Sequence, residues 1–200
     1  MSSRRWNPIT RKWDITYTAA KRNYPPLSSE LEKQLRAIEP THDGYSEYFP
    51  CAVLLSGSEQ HDRVYLADAT SFIQIYGAWP DDDATDIAIP VERVVQIQKS
   101  PYRLPLKIAR EIYSLGERGI SGRMFALEFA DGSRQHYHTA NLTDFLELPL
   151  GQALIDIVAV TPDSGAMVNA MTEAPYQWCL FASKPRQSAL QRLAHALRFG

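Results

Sequence analysis

Cysteine is scarce in this chain. Cys51 and Cys179 are the only two in 200 residues, 128 positions apart, and each lies in an apolar stretch. That spacing offers no framework of cross-links, and the expected state is a pair of buried, reduced thiols. No stretch approaches the ~20 consecutive apolar residues of a membrane-crossing helix. Arg4 and Arg5 are followed by Trp6, Asn7 and Pro8, where a secretory signal would need an apolar run. These absences predict a soluble, cytoplasmic protein with no membrane partner. A content of 44% hydrophobic and 22% charged residues is enough to bury a core without staples.

Several chemistries lack their motifs. Leu115-Gly116-Glu117-Arg118-Gly119-Ile120-Ser121-Gly122 has neither the lysine nor the strand-to-helix context of a phosphate-binding loop, and reads as a flexible lead into the segment after it. There is no Gly-x-Ser-x-Gly; Gly57-Ser58 and Asp163-Ser164-Gly165 read as turns. Neither cysteine has a histidine close in sequence. Asp81, Asp82, Asp83 and Asp86 gather ligating groups, but a calcium loop needs glycine at its sixth position, where Asp86 stands. A solvated acidic loop that discourages edge pairing is the expectation, with a weak Mg²⁺ or Ca²⁺ contact as its only ligating use.

Charge is segregated along the chain. Of a net −2, residues 1–24 carry +5 and residues 181–200 carry +4, which leaves −11 on the body. The first segment interleaves Arg4, Arg5, Trp6, Arg11, Lys12 and Trp13, a pattern suited to an anion or to single-stranded nucleic acid through stacking and cationic stems. Trp13, Ile15, Tyr17 and Ala19 also alternate with polar residues, as a strand or packed arm would. The packed arm is preferred, because an acidic body repels phosphates.

The remaining pattern predicts an α+β protein: a strand-rich small barrel or curled antiparallel sheet, then a helix, a β-hairpin, strands and a C-terminal helix. A basic aromatic N-terminal arm covers 1–24. Residues 25–200 form one α+β unit, divisible into subdomains 25–101 and 102–200. A short helix is expected after Pro26, with Ser29 and Glu32 at capping-box spacing and Pro40 as its stop. Strands are expected at Ala52–Leu55, Val64–Ala67, Phe72–Tyr76, Ile87–Val91 and Val94–Gln98, and five so closely spaced suggest a small barrel. A helix over Pro105–Leu115, strands at Ala153–Val160 and Tyr176–Ala182, and a helix from about Pro185 to Arg198 complete the reading. In that last helix Leu190, Leu193 and Leu197 form a stripe, which should dock on the body or on a second copy.

The hairpin from Arg123 to Asn141 is the strongest local signal. A two-residue turn at Asp131-Gly132 would mix apolar and charged side chains on one face. A three-residue loop, Ala130-Asp131-Gly132, instead pairs Phe125 with Tyr137, Leu127 with Gln135 and Phe129 with Ser133. The opposite face then carries Glu128 across from Arg134, and Met124 and Ala126 beside His138 and His136.

His136-x-His138 is the one constellation with metal-ligand geometry. Two positions apart on a strand, the Cα atoms are about 6.5 to 7 Å apart and the imidazoles share a face. A catalytic zinc needs a third protein ligand, for which His42, His61 with Asp62, Glu128 and His195 are the candidates. No spacing selects among them. The function these residues favour is a non-catalytic cytosolic binding or regulatory module for a protein or small-molecule ligand, without a cofactor and with homo-oligomerisation open. The alternative is a metal-dependent enzyme centred on His136 and His138, with Glu128 as a further ligand and a divalent metal as its only cofactor. A second alternative is nucleic-acid binding through the basic termini.

Overall fold

The computed structural model describes residues 2–7, 12–17, 22–43, 46–82, 87–116, 122–140, 142–163 and 172–183, the first two spans as backbone. The helix expected over 185–198 lies outside the described residues, as do Arg11, Asp83, Asp86 and His195.

The fold is α+β. Strands β1 (Ser2–Asn7) and β2 (Lys12–Tyr17) form an antiparallel ribbon. Helix α1 (Ser29–Leu35) is capped by Ser28, whose hydroxyl accepts from the Leu31 amide at 3.2 Å, one residue before the expected cap. It ends at Arg36, ahead of Pro40, and buries Leu31 and Leu35. Next come β3 (Thr41–His42), β4 (Glu47–Leu55) and β5 (Gln60–Asp68), then α2 (Ala69–Tyr76), β6 (Val94–Gln98) and α3 (Leu106–Ser114). The second half supplies β7 (Arg123–Phe129), β8 (Arg134–Thr139), β9 (Ile157–Pro162) and β10 (Gln177–Phe181).

Two sheets carry the core. In the larger, β10, β5, β4 and β3 are neighbours in that order, and β6 pairs with the far half of β4 beside β3. β10 runs parallel to β5 and the other pairs are antiparallel. The edges do not join, so the small-barrel alternative is corrected to an open, curled sheet. Closure fails because two of the five expected strands do not exist. Phe72–Tyr76 belongs to α2, which starts on an Asp68 cap and stops at Gly77 in the left-handed conformation. Ile87–Val91 contributes a single bridge, Ala88 to Trp178.

Period-two alternation divides this sheet into two faces. Cys51, Val53, Leu55, Val64, Leu66, Cys179 and Phe181 face α1 and the residues of β6, whereas Tyr48, Tyr65, Ala67, Trp178 and Leu180 build an aromatic layer with Phe72, Phe145 and Trp79. Both cysteines are free and buried.

The smaller sheet, β8-β7-β9, is antiparallel. Its register is the three-residue one: Phe125 opposes Tyr137, Leu127 opposes Gln135 and Glu128 opposes Arg134. Gly132 has φ +82, and the Phe129 amide donates to the Ser133 carbonyl at 2.9 Å. Phe125, Leu127, Phe129 and Tyr137 pack against Ile108, Ala109 and Ile112 of α3. Burying each large apolar side chain contributes about 1.5 to 3 kcal/mol. Strand β9 begins at Ile157, after a 3₁₀ turn at Leu154–Asp156, which shortens the strand expected from Ala153. Gly122, read from sequence as part of a flexible lead, is instead sterically required: a Cβ there would stand 1.8 Å from the Thr139 carbonyl oxygen.

A buried polar junction links the two sheets. Asp144, 0% exposed, accepts from Thr41 Oγ1 at 2.6 Å, Tyr113 OH at 3.0 Å, Arg103 Nε at 3.3 Å and Tyr65 OH at 3.4 Å. These donors come from β3, α3, the turn before α3, and β5.

Candidate functional site

The two histidines occupy the expected face of β8, but not as free surface groups. His136 and His138 oppose Ala126 and Met124 across the ladder, and both are half-buried. His136 Nδ1 lies 2.7 Å from Asp163 Oδ2, a carboxylate only 6% exposed. That contact leaves Nε2 as the ring nitrogen able to meet a metal. Glu173 stands near enough to His138 to be influenced by its charge, although burial dominates and raises the Glu173 pKa. Arg134 Nη2 donates to Thr161 Oγ1 at 3.0 Å.

A third ligand is not brought in. Among the described residues no group of three His, Cys, Asp or Glu side chains is arranged to hold a metal ion. His42 Nε2 is 3.5 Å from Glu47 Oε1, and His61 Nε2 is 2.9 Å from Glu59 Oε1. Glu128 stands opposite Arg134 in the ladder. Of the basic arm, Arg4, Arg5 and Trp6 lie on β1, and Lys12 and Trp13 on β2, with Trp6 opposite Trp13. In the acidic loop, Asp81 and Asp82 each take a nitrogen of Arg22 at 2.5 Å, so an internal cation serves them.

The structure places a different group in a pocket. Arg63, on β5, stacks its guanidinium 4.5 Å over the Tyr102 ring, and its Nε is buried with no hydrogen-bond partner among the described residues. A buried donor left unmet costs about 1 to 3 kcal/mol, more for a charged group. The guanidinium is held by its neighbours. Ser100 Oγ donates to the Asp62 carbonyl and accepts from the Tyr102 amide, which fastens the turn bearing Tyr102 to β5.

A cavity of about 380 Å³ opens beside Arg63, lined also by His61, Ile87, Tyr102, Tyr176 and Gln177. Two of these, Ile87 and Tyr102, are among the exposed large apolar side chains, at 57% and 47%. Gln60 and Asp62 also line the cavity, because β5 bulges here: Cys51 pairs with Val64 but Val53 with His61, so Asp62 and Arg63 together stand against one residue of β4. The Asp62 carboxylate is engaged by Gln60 Nε2 at 2.6 Å. The cavity wall therefore combines the Arg63 guanidinium, the Asp62 carboxylate, a neutral amide and an apolar rim, within the size range of small-molecule sites. Nothing in the sequence singled out Arg63. It follows a polar run into a strand, and its stacking on Tyr102 is a tertiary fact.

A second, larger depression of about 890 Å³ runs between α1, the start of β4 and the start of α2. It shares no lining residue with the Arg63 cavity. Among the described residues no helix is long and apolar enough to cross a membrane. The site thus belongs to an α+β protein whose pocket sits at the β5–β10 seam of an open sheet. No family model, curated protein or solved structure matches the chain.

Proposed function

We propose that this chain is a non-catalytic binding module whose ligand is a small molecule bearing one oxyanion on an apolar or aromatic body, seated beside Arg63. The observation that carries this reading is the Arg63 guanidinium, stacked over Tyr102 in the wall of the cavity. A carboxylate or phosphate oxygen would pair with the terminal nitrogens of the guanidinium, with Tyr102 fixing the plane of the fork and Ile87 and Tyr176 taking the ligand's body. Hydrogen bonds to charged groups contribute about 1.5 to 3 kcal/mol, so Arg63 governs roughly 10- to 100-fold of the affinity.

Calorimetric titration of the full-length protein with benzoate, phenyl phosphate and inorganic phosphate tests the reading. The aromatic anions should bind, inorganic phosphate more weakly, and Arg63→Gln should lower the affinity by the stated factor. Binding unchanged in Arg63→Gln, or absent below about 10 mM in the wild type, sinks it.

A metal-dependent role for His136 and His138 is the second reading, favoured by Asp163: ligating histidines characteristically give their other ring nitrogen to a carboxylate. Its check is Zn²⁺ titration of wild type and His136→Ala. A Kd that does not change on the substitution removes this reading.

A further inference from the structure

We infer that the ligand of the Arg63 cavity is a zwitterion, an α-amino acid with an apolar or aromatic side chain, whose carboxylate meets Arg63 and whose ammonium meets Asp62. The ligand thus keeps the oxyanion proposed above, on which this assignment rests, and adds a group of opposite charge. Three features of the cavity point to it.

The first is the bulge in β5. Cys51 pairs with Val64 and Val53 with His61, so Asp62 and Arg63 stand together against Ala52. Regular alternation sends neighbouring side chains to opposite faces of a strand, and an extra residue re-aims one of them. Here the bulge brings a carboxylate and a guanidinium into the wall of one cavity. It lies just before Val64, where the pairing of β5 with β10 begins, so the cavity opens at that seam.

The second is that the two charges do not cancel. Asp62 and Arg63 are both half-buried. Among the described residues Arg63 forms no ion pair, and its guanidinium lies on the Tyr102 ring. The Asp62 carboxylate takes one hydrogen bond, from Gln60 Nε2. That partner is neutral, and an ionised carboxylate has about four acceptor positions, so the negative charge and a place for a cation both remain. The imidazole in the wall is committed elsewhere: His61 Nε2 is 2.9 Å from Glu59 Oε1, and Glu59 also takes Arg93 Nη2 at 2.8 Å. A plain anion would be attracted by Arg63 and repelled by Asp62. A zwitterion satisfies both.

The third is the apolar part of the wall. Tyr176 stands edge-on to Tyr65 and Trp178, with ring centroids 4.9 and 5.8 Å apart, which makes it a fixed surface. With Ile87 and Tyr102 it offers an apolar side chain a place to lie, while Gln177 supplies an amide.

Calorimetric titration of the full-length protein tests this with three ligands: L-phenylalanine, 3-phenylpropionate, which lacks the ammonium, and 2-phenylethylamine, which lacks the carboxylate. L-Phenylalanine should bind about three- to tenfold more tightly than 3-phenylpropionate. Its margin over 2-phenylethylamine should be the roughly 10- to 100-fold that Arg63 governs. Asp62→Asn should weaken the binding of L-phenylalanine and strengthen that of 3-phenylpropionate, because attraction and repulsion disappear together. Opposite shifts in one variant also show that it is folded, and the wild-type comparison decides the matter if it is not. Equal affinities for L-phenylalanine and 3-phenylpropionate, or equal shifts of both in Asp62→Asn, overturn the zwitterion alone, provided that 3-phenylpropionate still binds and is weakened by Arg63→Gln. Equal affinities for L-phenylalanine and 2-phenylethylamine overturn it as well. A wild type that binds none of the three below about 10 mM overturns the anion site with it.

Discussion

Replacing Asp144 with alanine is the most informative perturbation of the junction between the sheets. The side chain is completely buried, and four donors from four segments converge on it: Thr41, Tyr65, Arg103 and Tyr113. Arg103 is itself only 13% exposed. Two of the donors have a second duty, since Tyr113 OH accepts from the Thr143 amide at 2.8 Å and Tyr65 OH from the Asp144 amide at 3.1 Å. Removing one partner of a buried ion pair costs about 3 to 5 kcal/mol, because the other charge is left without compensation. The orphaned hydroxyls fall within that same figure, as losses in one network do not add. For a chain of this length, that corresponds to a fall in Tm of about 6 to 20 °C. Chemical denaturation gives the stability directly.

A pH series sharpens the test. Burial raises the Asp144 pKa above the ordinary aspartate value, with the Thr41, Arg103 and Tyr113 interactions opposing but not cancelling it. A carboxyl with a raised folded-state pKa contributes stability that is full below the ordinary value and is lost as pH rises through the raised one. Asp144→Asn lacks this contribution, so the wild type's advantage over it should be greatest in acid and shrink with rising pH. A cost for Asp144→Ala below about 1 kcal/mol, or an advantage over Asn that grows with pH, refutes the reasoning.

Other outcomes follow from the hairpin, the glycines and the thiols. Phe125→Ala and Phe129→Ala, at side chains 0% and 2% exposed, should each cost about 3 to 5 kcal/mol. His136→Ala should cost about 1 to 3 kcal/mol through its lost bond to buried Asp163, and equality with a surface change within about ±0.5 kcal/mol would show that the pair contributes nothing. Gly122→Ala should destabilise by several times more than Gly116→Ala, measured by urea unfolding: both have positive φ, but only Gly122 also meets backbone. Burial holds both thiols in the protonated form, with Cys179 pushed up to about 12. Ellman's reagent should therefore titrate neither in the native protein and both after denaturation, and a rapid native reaction would show that the layer opens.

The hairpin register was readable in sequence because only one pairing separates apolar from charged side chains, and a one-residue slip exposes the error on every position. Helix α2 was misjudged because Phe72-Ile73-Gln74-Ile75-Tyr76 is too short and too apolar for periodicity to decide between strand and helix. The deciding signals lay outside that run, in the Asp68 cap and the Gly77 stop. The site was less legible. His136 and His138 could be placed on one face, but Asp163 looked like turn chemistry, and only folding brings it to the imidazole. Arg63 drew no notice at all. An unmet donor is defined by what fails to approach it, and a linear pattern carries no trace of that.

The position of β10 has a consequence for synthesis on the ribosome. Its outer neighbour is the segment 87–89, joined through bonds from the Trp178 amide to the Ile87 carbonyl and from the Ile89 amide to the Trp178 carbonyl. Its inner neighbour is β5. The last of the described strands is therefore inserted between two segments translated roughly a hundred residues earlier. Until it emerges, the nascent chain keeps the outer edge of β5 bare, a template for pairing with other chains. Stalled or prematurely terminated products ending before Gln177 should consequently be the species that chaperones hold and proteases clear, whatever ligand the finished protein takes.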